Sequence, residues 1–216
     1  YSSKNNLSHV KESASSMPAP IDFLSAKTSL DSLSTTLAAD TANGTVDHSY
    51  STYTLTGGDS TLNVFNLSDS AYSGATNNIT APAGSTVVVN VSGSAASFNG
   101  GSINLNGVSQ NDVIFNFSAA TTLSLASIAF EGTILAPDAA FTGSWGQING
   151  QLIALSAAGT TQLNNDIFSG YLSSTTSGGG VNTGQQTATP EPSTWIMIAS
   201  GLVAVAFFRR KHSQTA

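Results

Sequence analysis

Residues 113–125 read Val-Ile-Phe-Asn-Phe-Ser-Ala-Ala-Thr-Thr-Leu-Ser-Leu. Val113, Phe115 and Phe117 stand at every second position, and so do Leu123 and Leu125. A strand sends successive side chains to opposite faces, so this spacing predicts strands with one buried face. The same alternation extends outward from the stretch. Upstream it takes in Ile103/Leu105, Val87/Val89/Val91, Leu62/Val64 and Tyr53/Leu55, and downstream Ile134. Strand starts near 103, 113, 123, 134, 141 and 152 are spaced by about ten residues, which suits either a β-sandwich or a β-solenoid of stacked short strands. Three features favour the solenoid. Asn, Ser and Thr lie inside strands, as in Asn63-Val-Phe-Asn66 and Asn104-Leu-Asn106, where stacked side-chain ladders would satisfy them. Gly100-Gly101 marks a tight corner. And a single amphipathic helix precedes the strands.

That helix is predicted over about 21–40. It follows Pro18-Ala-Pro20, and Phe23, Ala26, Leu30, Leu33 and Leu37 recur at three and four residues, one stripe of a 3.6-residue period. Asn43-Gly44 is the expected stop. The stripe implies an apolar surface for it to cover.

Charge sets the next limit. The 216 residues hold 6 Lys+Arg and 12 Asp+Glu, and no cysteine. No Lys or Arg falls between residues 28 and 208, so the body is expected to lack internal salt bridges and to depend on backbone ladders, apolar packing and Ser/Thr/Asn hydrogen bonds. The absent cysteine excludes disulfides and thiolate-held metals. Nucleic-acid binding is excluded by the same lack of cations. The acids are scattered and form no calcium-binding loop, so no metal or cofactor is expected.

The C-terminus is organised differently. Residues 173–189 form an uncharged Ser/Thr/Gly linker. Thr189-Pro190-Glu191-Pro192 follows, then an apolar run, 195–208, then Arg209-Arg210-Lys211 and a short tail, 212–216. Fourteen helical residues would span about 21 Å, short of the ~30 Å hydrocarbon core. The basic cluster belongs on the cytoplasmic side, leaving the body outside the inner membrane. Pro-Glu-Pro, apolar helix and basic end, in that order, resemble the PEP-CTERM sorting signal of Gram-negative bacteria that make exopolysaccharide. The resemblance rests on Pro190, Glu191, Pro192, Arg209 and Arg210. It implies processing by exosortase, transient anchoring in the inner membrane, and delivery to the cell surface or extracellular matrix. The chain begins at Tyr1 with a polar segment, 1–17, and no signal peptide, so an export signal is expected to have been removed or to lie upstream.

Within 18–172, Asn63-Val-Phe65, Val87-Val-Val-Asn-Val-Ser-Gly93, Phe115-Asn-Phe117, Gly132-Thr-Ile-Leu-Ala-Pro137 and Gly150-Gln-Leu-Ile-Ala154 are similar to the bacterial choice-of-anchor A domain. The last two segments also resemble ice-binding-like adhesins. That resemblance implies a right-handed β-solenoid with a helix packed alongside, and no catalytic residues.

The residues offer little for chemistry. Of the three histidines only His48 could serve the body, and Asp47 beside it points to the other face. No nucleophile elbow is present. Glu131 and Asp138 could pair as glycosidase carboxylates, or be ordinary loop acids. Trp145, in Gly143-Ser-Trp-Gly146, either stacks on a sugar or caps the end of a core. Thr121, Thr122, Thr133 and Thr142 are candidates for an ice-binding face, although no T-x-T ladder repeats at a fixed interval. The expectation is a non-enzymatic, adhesin-like protein of the envelope or exopolysaccharide matrix; the alternative is a solenoid that binds ice or polysaccharide.

Overall fold

The computed structural model describes residues 22–68 and 74–172. The chain divides into two units, Tyr1–Gly170 and Tyr171–Ala216, and the β architecture lies in the first. The polar segment 1–17, the linker 173–189 and the sorting signal with its apolar run 195–208 lie outside the described residues. Among the described residues no helix is long and apolar enough to cross a membrane.

One helix, α1 (Phe23–Ala39), precedes strands numbered here along the chain. A four-stranded sheet has the order β1 (Thr45–Ser49), β2 (Thr52–Thr56), β4 (Thr76–Thr80), β7 (Ser102–Asn106). A larger sheet runs β3 (Leu62–Ser68), β5 (Thr86–Ser92), β8 (Val113–Asn116), β11 (Thr133–Ser144), β9 (Thr122–Ala126), β6 (Ala95–Asn99), with β13 (Leu152–Gly159) added to β11. The third sheet is β10 (Ala129–Glu131), β12 (Gln147–Asn149), β14 (Gln162–Leu163). Apart from the β1–β2 hairpin, the described ladders are parallel. A β-sandwich needs antiparallel strands, so these ladders do not suit it. The fold is mainly β: a curled stack of parallel strands with one helix alongside.

Register explains the core. Phe65 pairs with Val89, Val89 with Phe115, Phe115 with Ile134 and Ile134 with Leu152, so one inward row crosses five strands. Leu55–Ile79–Leu105 and Phe98–Leu125 form corresponding rows. Phe98 meets Phe117 and Phe130 edge to face, at 6.0 and 5.0 Å between ring centres, and Phe115 meets Phe130 at 4.7 Å. The sequence phase fails in one strand. In β3 it is Asn63, Phe65 and Leu67, not Leu62 and Val64, that align with the inward Val87, Val89 and Val91. Asn63 tolerates that position because its amide donates to Ser85 Oγ and to the Asp59 carbonyl. The expected starts at 134 and 141 belong to one long strand, β11. It pairs with β8 through 133–135 and with β9 through 140–144, across an irregularity between Ala136 and Ala140, a stretch that holds Pro137, which has no N–H to give the ladder.

Two glycines hold corners open. Gly101 has φ +81, and a Cβ there would overlap the Ala75 carbonyl. Gly150 sits so close to the Gly132 backbone that any side chain would collide with it. This is the physical content of the paired Gly132 and Gly150 motifs.

Helix α1 is seated differently from its apolar stripe. Phe23 is 78% exposed and Ala26 is exposed; Leu30 and Leu33 are half-buried, and Leu37 is buried. The buried centre is polar. Asn116 Nδ2 donates to the Ser34 carbonyl and to Asn90 Oδ1, both at 2.8 Å. Asn116 Oδ1 accepts from Ser34 Oγ, and Asn90 Nδ2 donates to the Leu37 carbonyl at 2.7 Å. The helix starts on Asp22, whose Oδ1 accepts from the N–H groups of Leu24 and Ser25. It ends at Ala39, before the expected Asn43-Gly44 stop. Those two residues instead cover the free edge of β3: both backbone N–H groups donate to the Val64 carbonyl, and the Asn43 side chain bonds the Leu62 carbonyl and the Val64 N–H.

The expected absence of salt bridges is corrected by one residue. Lys27, just ahead of the cation-free span, bonds Asp31 at 2.8 Å and reaches Asp138 of β11 at 2.6 Å. Hydrogen bonds first to Asp138 and then to Asp31 raise its pKa above 10.5. A raised folded pKa contributes stability below the unfolded value, and that contribution is lost as pH rises through the folded one. Stability should therefore decline more steeply above about pH 10.5 in the wild type than in Lys27→Met, as read by urea melts across that range. Asn116→Ala should cost about 2–4 kcal/mol in the same melts at neutral pH, because it strands Ser34 and Asn90 beneath the helix.

Candidate functional site

The four-stranded sheet turns Tyr53/Leu55, Ile79 and Ile103/Leu105 inward. Register then fixes the outward side as three rows: Ser49–Thr52–Thr76–Ser102, Asp47–Thr54–Asn78–Asn104 and Thr45–Thr56–Thr80–Asn106. On β2, β4 and β7 each outward position is a hydroxyl or a carboxamide, and none is charged. Asn104 Nδ2 donates to Asn78 Oδ1 at 2.9 Å, the side-chain ladder expected of asparagines in stacked strands. Neighbouring strands lie ~4.8 Å apart and alternate residues ~6.7 Å apart along a strand, so the face is a regularly spaced polar grid. The Thr52-x-Thr54-x-Thr56 pattern recurs as Thr76-x-Asn78-x-Thr80 and as Ser102-x-Asn104-x-Asn106, at steps of 24 and 26 residues. A search for threonine alone misses it, because the chemistry repeats while the residue type changes.

The four threonines singled out for an ice-binding face do not assemble into one. Thr133 is buried, and the Thr121 hydroxyl donates to the Ser94 carbonyl. Thr122 and Thr142 share an outward face of the larger sheet but lie in different rows, Ala95–Thr122–Ala140–Ser156 and Ser97–Ser124–Thr142–Ala158. Alanine interrupts both rows, so this face carries fewer hydrogen-bonding groups.

Trp145 follows β11 at a corner with φ 50 and is 82% exposed. It does not cap a core. His48 stacks on Tyr53 at 4.1 Å and 9°. Asp47 faces the polar grid on the other side of the hairpin, so the two form no dyad. The carboxylates considered for glycoside hydrolysis are engaged separately: Glu131 accepts from Asn149 Nδ2, and Asp138 holds Lys27. Asp59 is held ionised below the usual carboxylate range by the backbone N–H groups of Thr61 and Leu62, which makes it a turn anchor. Among the described residues no group of three or more His, Cys, Asp or Glu side chains could hold a metal.

Fold and face define a class: a parallel β stack that offers a surface. A family model described as "Putative Ice-binding-like adhesive domain" matches residues 1–165. The chain belongs to this ice-binding-like adhesive family. The PEP-CTERM protein-sorting motif matches residues 188–211, which include Pro190, Glu191, Pro192, Arg209 and Arg210. Neither the curated proteins nor the solved structures gave a match. The two matched models make this an exported, adhesin-like protein that is sorted through the membrane with exosortase as its processing partner.

Proposed function

We propose that this protein is a non-enzymatic adhesin of the cell envelope or exopolysaccharide matrix, of the choice-of-anchor A type, which holds uncharged polysaccharide on the outward face of its four-stranded sheet. The observation that carries the reading is the grid of Thr, Ser and Asn side chains on β2, β4 and β7. Its ligand class follows from charge. The grid lacks cations, and the chain has a formal net charge of -6, so a polyanionic glycan would be repelled. A neutral glycan offers hydroxyls that pair with hydroxyls and carboxamides directly or through water. In this reading the strands climb as a right-handed solenoid, the tail anchors the chain in the inner membrane until exosortase acts, and the product then remains at the surface or in the matrix. Trp145 supplies an exposed ring that can stack on a sugar.

The combined Thr54→Ala, Asn78→Ala and Asn104→Ala variant should bind neutral exopolysaccharide at least about tenfold more weakly, since each lost hydrogen bond is worth ~0.5–1.5 kcal/mol. Affinity electrophoresis reads the effect, and unchanged retardation would defeat the reading. Ice is the second reading, favoured by the regular spacing of the grid; inhibition of ice recrystallisation by the wild type and its loss in the same variant would select it. For sorting, Glu191→Ala should leave the C-terminal segment uncleaved by intact mass; a processed product would contradict exosortase cleavage at this motif.

A further inference from the structure

We propose that the outer edge of β13 is an interface between two copies of this chain, which pair β13 to β13 about a two-fold axis by antiparallel β-addition. β13 is eight residues long and pairs with β11 along one edge. Its other edge takes part in none of the described main-chain hydrogen bonds, and residues 155–160 are exposed. Natural edge strands are guarded by charge, proline or a covering segment. Among the described residues this edge has none of those guards. From Ala139 to Asn165 there is no charged residue, and Leu155 and Leu163 are 59% and 52% exposed. Beside them a cleft of about 130 Å³ opens between Phe141, Leu152, Ala157 and Leu163.

The opposite end of the stack is guarded. β1, which carries Asp47, is the outermost strand of the four-stranded sheet, and Asn43-Gly44 occupies the Leu62–Val64 stretch of the β3 edge. A second copy therefore meets an occupied stretch if it offers its β3 end to β13. Its own β13 fits, because a two-fold contact joins identical patches and two uncharged strands meet without the repulsion that the net charge imposes elsewhere. The described residues that follow β14 leave this edge clear. After β14 the chain runs back along the stack: Phe168 N–H donates to Gln151 Oε1, Ser169 N–H to the Asn111 carbonyl, and Gly170 lies against Thr86 of β5. The inference rests on this geometry and is independent of which ligand the polar face takes.

The chain has no cysteine, so single cysteines report the contact cleanly. In the full-length protein in detergent, Ser156→Cys and Ala158→Cys should give a disulfide-linked dimer under mild oxidation, while Thr80→Cys on the polar face should not. Leu155→Lys, at an exposed position, should retain the fold and weaken association at least about tenfold by sedimentation velocity. Cross-linking at neither position above the Thr80→Cys level, or association unchanged by Leu155→Lys, would overturn the proposal. So would a monomer in which the Ser156→Cys thiol resists a soluble maleimide, since the edge would then be covered by the chain itself, residues 1–21 being the segment that leads into α1.

Discussion

Parallel in-register stacking is the constraint on which the rest depends. When strand lies over strand with no reversal, each residue sits above its counterpart from the previous passage of the chain. An inward position must then be apolar on several successive strands, as in Phe65–Val89–Phe115–Ile134–Leu152. An outward position must tolerate a like neighbour about 4.8 Å away. Like charges at that spacing repel, whereas hydroxyls and carboxamides can bond to one another. The scarcity of charge in the body and the regular spacing of its polar face are two consequences of one geometry.

The same rule accounts for the helix. Where the register places Asn90 beside Asn116, the two amides bond each other and then the backbone and hydroxyl of α1. Such a buried network specifies one position for the helix, because a shift along the sheet would leave several polar groups unpaired. Lys27 adds a second fixed point at Asp138.

Much of this was legible in the sequence. The alternation at 87–91, 113–117 and 123–125 marks the strands that form the core, and Gly100-Gly101 marks a corner that only glycine fits at Gly101. What escaped did so for physical reasons. Hydrophobic periodicity cannot see a helix seated by asparagines, so Phe23 and Ala26 share the apolar stripe yet stay exposed. In β3 a satisfied inward asparagine displaced the apolar phase by one residue. The polar face was hidden because its threonines give way to asparagine and serine at equivalent positions, and because the step between strands varies.

If function lies in the outward rows of the four-stranded sheet, a bound ligand must perturb those rows. Amide and side-chain chemical-shift mapping during titration with fragments of neutral exopolysaccharide tests it most directly. Shifts should cluster at Thr52, Thr54, Thr56, Asn78, Thr80, Asn104 and Asn106. Shifts confined to the alanine-interrupted face around Ser97, Ser124 and Thr142, or none under saturating ligand, would contradict it.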